Sequence, residues 1–304
     1  MDDLLSAIIT PEHRFLWRAA LIGVLLGVSS SLLGCVLVVR RLALMGDALA
    51  HSLLPGVGLA WLIFGTSVPA LFLGGLGAGR ATAVASGLIS RLTRVKEDAA
   101  FAGIFIALFG VGVALVSRAG TPVDLLHFLF GNILGTTSDD LWLAASVSAL
   151  TVAFFAVFYR GILLECFDPL WHRAVGGHSV AIHLALLALV VLNLVAALHA
   201  LGGVLALGLF ILPAITAYLW CDRWGAMLGF AVVDAVVGAI VGLLVSYHAH
   251  LASGPSLVIV LGAGFLISAV ISPRHGLVGR LMRPTLHHHR EDADERCELP
   301  GHSH

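Results

Sequence analysis

SVAIHLALLALVVLNLVAALHALGGVLALGLFILPAITAYLWC, residues 179–221, contains no Asp, Glu, Lys or Arg. At about 1.5 Å per residue, a helix of that length runs roughly 65 Å, enough for two crossings of a ~30 Å hydrocarbon core. The turn between the crossings is expected at residues 199–203, where HALGG supplies two glycines. Barrel strands alternate apolar and polar residues over about ten positions. This stretch is solidly apolar instead, so it reads as two transmembrane helices of an all-α chain.

The same pattern recurs along the sequence. Apolar runs cover residues 19–39, 53–79 with Pro69 as a natural break, 99–117, 141–159 and 251–272. A run at 68–90 carries Arg80 in its middle, and one at 224–246 is interrupted only by Asp234. Together they predict a polytopic bundle of about nine spans. The first run is too long for a cleaved signal peptide and is followed by further spans.

Composition agrees. Of 304 residues, 59% are apolar and 12% charged, and mean hydropathy is +1.00. An average soluble domain carries roughly 25% charged residues. An ordinary cytosolic enzyme and a disordered chain are therefore excluded. Cys35, Cys166, Cys221 and Cys297 are isolated, with no C-x-x-C spacing, so a disulfide scaffold is excluded as well. A net charge of -1 argues against a nucleic-acid partner.

Basic residues set the expected orientation. With the N-terminus outside, 13 Lys and Arg fall on cytoplasmic segments, among them Arg40, Arg41, Arg160, Arg173 and Arg223, against Arg14, Arg18 and Arg118 outside. The expectation is N-outside and C-inside. Residues 1–286 form the transmembrane domain, and residues 287–304 a polar, His-rich cytoplasmic tail without order of its own. No G-x-x-x-x-G-K-[ST] loop is present, so hydrolysis of ATP would fall to a partner. No H-E-x-x-H motif supports a membrane metalloenzyme, and the chain is not expected to be an enzyme.

Polar side chains inside a bilayer are costly, which makes each a candidate site. RRLALMGDALAHSLLPG, residues 40–56, places Asp47 and His51 four apart, one turn from each other on one face of a helix. A carboxylate and an imidazole so spaced suit a divalent transition metal. Pro55 lacks an N–H and so leaves the His51 carbonyl free. Broken helices with spare carbonyls line ion paths in transporters. A helix-start Asp beside a His packed on a neighbouring span satisfies the same spacing.

Other polar residues have two readings each. Asp234 lines the path or, as favoured here, pairs with a buried donor such as Arg80. Asn193 and His183 read as interhelical hydrogen-bonders. His199 lies near an outer turn, and His248 and His250 in YHAHLASGP either collect metal at the outer mouth or are wet loop residues. FDPLWHRAVGGH, residues 167–178, reads as a short interfacial helix capped by Asp168, begun by Pro169 and ended by Gly176 and Gly177. Leu170, Trp171 and Val175 are available for burial, against lipid or a docked partner. In the tail, His287, His288, His289, His302 and His304 with nearby carboxylates are able to bind zinc or nickel loosely.

These motifs resemble the permease subunit of ABC importers for zinc, manganese and iron. RRLALMGDALAHSLLPGVGLA, EDAAFAGIFIALFGVGVAL, FLFGNILGTTSDDL, LGGVLALGLFILPAITAYL and SGPSLVIVLGAGFLISAVISPRHGL each resemble a family segment, in the family's order. The resemblance implies two permease copies about a two-fold axis, a cytoplasmic ABC ATPase dimer, an extracytoplasmic metal-binding protein and a bacterial cytoplasmic membrane. It implies no permanent cofactor, only a transported ion. It makes Asp47 and His51 the intramembrane metal ligands. It makes residues 168–177, with Leu170, Trp171 and Arg173 among them, the helix that couples to the ATPase. Trp171 or His172 stands where the family has a small residue, and His250 where it often has an acid.

Fifteen His residues, the outer-loop pair and the His-rich tail favour zinc, a borderline-soft ion, over manganese or iron. Two rivals are a permease for organic chelates and a stand-alone secondary metal carrier. The first would not centre its path on an Asp-x-x-x-His pair. The second needs ion-coupling carboxylates, and only Asp47 and Asp234 lie inside the spans.

Overall fold

The computed structural model describes residues 14–42, 52, 54–64, 68–95, 97–118, 137–249, 251–272 and 276. Every described element is a helix. In chain order they are α1 (Arg14–Val39), α2 (Leu54–Phe64), α3 (Val68–Leu92), α4 (Glu97–Arg118) and α5 (Ser138–Phe167). Then come α6 (Pro169–Ala174), α7 (Ser179–Leu201), α8 (Gly203–Trp220), α9 (Trp224–Ala249) and α10 (Ser253–Ile271).

Helices form at all nine expected places, but they are not alike. Six among the described residues (α1, α5, α7, α8, α9 and α10) are long and apolar enough to cross a bilayer. α2 has 11 residues over its described length, about 16 Å, half of a ~30 Å core. The run at 53–79 is divided between α2 and α3, near the break expected at Pro69.

α1 is the central helix. It packs against α5, α7, α8 and α9. Every side of it is buried from Ser29 to Leu37, as expected of a helix that is apolar all round. Gly34 lies against α8 so closely that a Cβ there would strike the Phe210 carbonyl. α8, α9 and α10 complete this side of the bundle, while α2, α3 and α4 pack on one another and join it where α3 meets α7.

Local signals explain the helix ends. Thr137 and Asp140 form a capping box at the start of α5: the Thr137 amide donates to Asp140 Oδ2 (2.7 Å) and the Asp140 amide to Thr137 Oγ1 (3.4 Å). The turn expected in HALGG falls at Gly202, whose φ of 88° is open to glycine without strain. α1 stops in a Schellman turn: the Arg41 amide donates to Val38 O (3.0 Å) and the Leu42 amide to Leu37 O (2.7 Å). Arg41 takes the left-handed position, with φ of 60°.

Large apolar side chains stay exposed along one side of α9 (Val233, Val237, Val241, Leu244) and α10 (Ile259, Leu266, Ile267, Val270). Water is a poor neighbour for surfaces of that extent; lipid or another protein suits them.

Candidate functional site

Asp47 and His51, together with residues 43–46 and 48–50, lie outside the described residues. Their two flanks are described. Upstream is the Schellman turn after α1. Downstream, Ser52 is buried, and Gly112 of α4 approaches the α2 backbone at Pro55, where an added Cβ would sit 2.9 Å from the Pro55 nitrogen. The segment is thus entered from the buried central helix and left through a tightly packed α2–α4 contact.

The upstream flank carries an ionic cluster that sequence reading did not identify. Glu165, near the end of α5, has a side chain 1% exposed. Its Oε1 lies 3.7 Å from Arg40 Nη1 and 3.7 Å from His183 Nδ1. Its Oε2 accepts a 2.5 Å hydrogen bond from Ser179 Oγ and lies 3.5 Å from His172 Nδ1. Arg40 Nη1 also approaches His183 Nδ1 at 2.6 Å. A guanidinium has no acceptor, so His183 Nδ1 must be bare and accept that bond. Arg173 Nε donates to Ser179 Oγ at 3.4 Å. Stripping the partners from such a carboxylate costs on the order of 3–5 kcal/mol.

The predicted short helix is present as α6. The Trp171 amide donates to Asp168 Oδ1 at 2.9 Å, Pro169 occupies the first turn, and Gly176 (φ 78°) ends it. Gly177 is needed for space: a Cβ there would collide with the His172 ring, which folds inward to Glu165. Leu170, Trp171 and Val175 are exposed (76%, 53% and 64%), so burial in lipid or a partner is left to them. Arg173 is exposed too, apart from its bond to Ser179.

The remaining candidates separate. The expected Asp234–Arg80 pair does not form: among the described residues no ion pair joins them, Arg80 is exposed, and Asp234 Oδ2 is buried without a hydrogen-bond partner. The reason is placement, since α3 reaches the main bundle through α7 and not through α9. Asn193 behaves as expected, donating to Thr151 Oγ1 (2.7 Å) and Leu189 O (3.0 Å), and His183 bonds Arg40 across helices.

His199 Nε2 sits 3.3 Å from Asp140 Oδ1, at the bundle end opposite Glu165. His248 is exposed, with Nδ1 2.9 Å from Leu244 O. His250 and the tail histidines 287–289, 302 and 304 lie outside the described residues. Among the described residues no group of three His, Cys, Asp or Glu is arranged to hold a metal.

Glu165 was legible only as a lone acid in LLECF, and Arg40 only as a topology marker. Neither spacing nor composition links them.

The pattern of the ABC 3 transport family matches residues 12–272. The manganese transport system membrane protein MntC of Halalkalibacterium halodurans is 38% identical over 283 residues, 93% of this chain and 94% of its own. The chelated iron transport system membrane protein YfeD of Yersinia pestis is 34% identical, over 93% of this chain and 95% of its own length. Among solved structures, PsaBC from Streptococcus pneumoniae in complex with Fab matches with a TM-score of 0.80 at 28% identity, over 92% of this chain and 99% of that chain. The chain belongs to the ABC 3 transport family and is a metal-type ABC transporter permease.

Proposed function

We propose that this chain is the membrane permease subunit of an ATP-driven importer for a divalent transition metal, manganese or iron(II). The observation that carries the choice of metal is the near full-length match to manganese and iron transport membrane proteins. Zinc, favoured by the histidine count, has no such support. Four of the five described histidines also weaken that count: His172 and His183 face Glu165, His199 faces Asp140, and His248 bonds a backbone carbonyl.

In this reading Asp47 and His51 offer the ion an oxygen and a nitrogen ligand, and the His51 carbonyl, freed by Pro55, offers a second oxygen. Oxygen-rich sites suit manganese. α6 docks on a cytoplasmic ATPase through Leu170, Trp171 and Val175, which are exposed in the isolated subunit. Two permease copies and two ATPase subunits form the transporter, and an extracytoplasmic protein delivers the ion. The subunit sits multi-pass in a bacterial cytoplasmic membrane, N-outside and C-inside. The gathering of Arg40, Arg173 and α6 at one end of the bundle supports that sidedness.

The test is competitive uptake. Cells lacking their own manganese importer, supplied with this permease, its ATPase and its binding protein, should accumulate manganese, with iron(II) competing better than zinc. Zinc outcompeting both would reverse the assignment.

A further inference from the structure

Two opposite charges stand in the middle of helices with nothing in the chain to answer them. Arg80 is the middle residue of the 25-residue α3 and is exposed, among the exposed apolar side chains Leu73, Val84 and Leu88. Asp234 lies two to three residues from the middle of the 26-residue α9, and its Oδ2 is buried without a hydrogen-bond partner. At about 1.5 Å per residue, the two charges stand within about 4 Å of the same depth. Among the described residues no ion pair or hydrogen bond reaches either side chain. A lone charge at the bilayer centre is costly, and such residues pair with one another or face a protein interior.

Within one chain the two do not meet, because α3 joins the bundle through α7 while α9 packs on α1, α8 and α10. A two-fold axis along the membrane normal removes that obstacle. It turns the α3 side of each copy toward the α9 side of the other, and every contact so made occurs twice. Both sides leave room for an approaching helix. A Cβ added at Gly77, one turn before Arg80, would meet nothing within 4 Å, and the same holds at Gly229 of α9 and Gly264 of α10. Leu261 against Gly238 and Leu257 against Gly242 set the register of α10 on α9, which brings Gly264 to the level of Asp234. Small residues of this kind admit close helix contacts in membranes. Lipid tails would cover the apolar residues as well as a protein does, but they answer neither charge. A second copy answers both.

We propose that Arg80 of one copy and Asp234 of the other form an ion pair inside the membrane, made twice across a two-fold interface between the α3 and α9 faces. The inference rests on the reading of this chain as one of two permease copies, and adds which faces meet.

The test co-expresses two differently tagged forms of the chain with the ATPase, purifies on one tag and measures the other. Arg80→Asp sets acid against acid at each contact between like copies, and Asp234→Arg sets base against base. Like copies of either variant should pair at least about tenfold less than wild type, because juxtaposed like charges are strongly disfavoured. An Arg80→Asp chain mixed with an Asp234→Arg chain meets opposite charges at both contacts, so this mixed pair should form close to the wild-type level. A bridge within one chain gives no such preference, since each variant would lack it whatever its partner.

If the charge variants do not insert, thiols decide. A chain with Arg80→Cys and a differently tagged chain with Asp234→Cys, oxidised in membranes with copper phenanthroline, should give a mixed-tag dimer that a reducing agent cleaves. Neither variant alone should give it, which sets aside the native cysteines. Random mixing of the charge variants, or no cross-link between thiol variants that still co-purify, would overturn the inference and leave the two-copy reading intact. Wild-type tags that never co-purify would overturn both.

Discussion

Glu165 at the end of α5 and Arg40 at the end of α1 face each other at 3.7 Å, with the carboxylate almost wholly buried. The pair lies where the chain leaves the central helix, three residues before the stretch 43–51 that carries Asp47 and His51. It also stands beside α6, a helix of six residues. The molecule thus brings its best candidate for partner docking and the approach to its best candidate ion ligands to the same end.

Loss of the ion ligands should stop transport without dismantling the subunit. Asp47→Ala and His51→Ala should each lower manganese uptake at least about tenfold, since even weaker perturbations around metal sites cost 10–100-fold. Uptake in vesicles, with assembly checked by size-exclusion chromatography, measures this. Full uptake in both variants would remove the pair from the ion path.

Crowding between α1 and α8 should be felt as stability. Gly34→Ala places a Cβ on the Phe210 carbonyl, backbone that cannot rotate away. The expected loss is about 1–3 kcal/mol, seen as a lower Tm of the detergent-solubilised protein. An unchanged Tm would mean that α1 and α8 are further apart than described.

Docking through α6 should depend on its exposed apolar tip. Leu170→Asp should weaken co-purification of the ATPase and leave the permease folded, because Leu170 buries little in the isolated subunit. The measurement is the ATPase-to-permease ratio after affinity purification. An unaltered ratio would place the docking surface elsewhere.

The tail should be dispensable for transport. Deleting residues 287–304 is expected to leave manganese uptake close to the full-length value, because polar histidine-rich segments bind metal only loosely. A transport-dead deletion would give the tail a direct role.

Much of the fold was legible because a bilayer imposes a coarse rule: charge-free runs of about 20 residues become helices. That rule located the helices around residues 179–221 and the turn at Gly202. The run at 53–79 is divided between α2 and α3 close to Pro69, as expected, but α2 covers only 11 described residues, too few on their own to span the core. The Asp47–His51 pair was visible because four-residue spacing is local. The Glu165 cluster was not, because Arg40, His172, Ser179 and His183 meet only through the packing of α1, α5, α6 and α7. Counting histidines misled for the same reason: composition does not show that His183 accepts from Arg40 or that His199 faces Asp140.

The central claim is ATP-driven passage of a small divalent cation through this subunit. The most direct measurement is manganese entry into proteoliposomes holding this chain with and without its ATPase partner and ATP. The account predicts accumulation only with the partner and hydrolysable ATP, and none in the Asp47→Ala variant. Ion movement by the purified subunit alone, or a complete transporter that carries only an organic chelate, would contradict it.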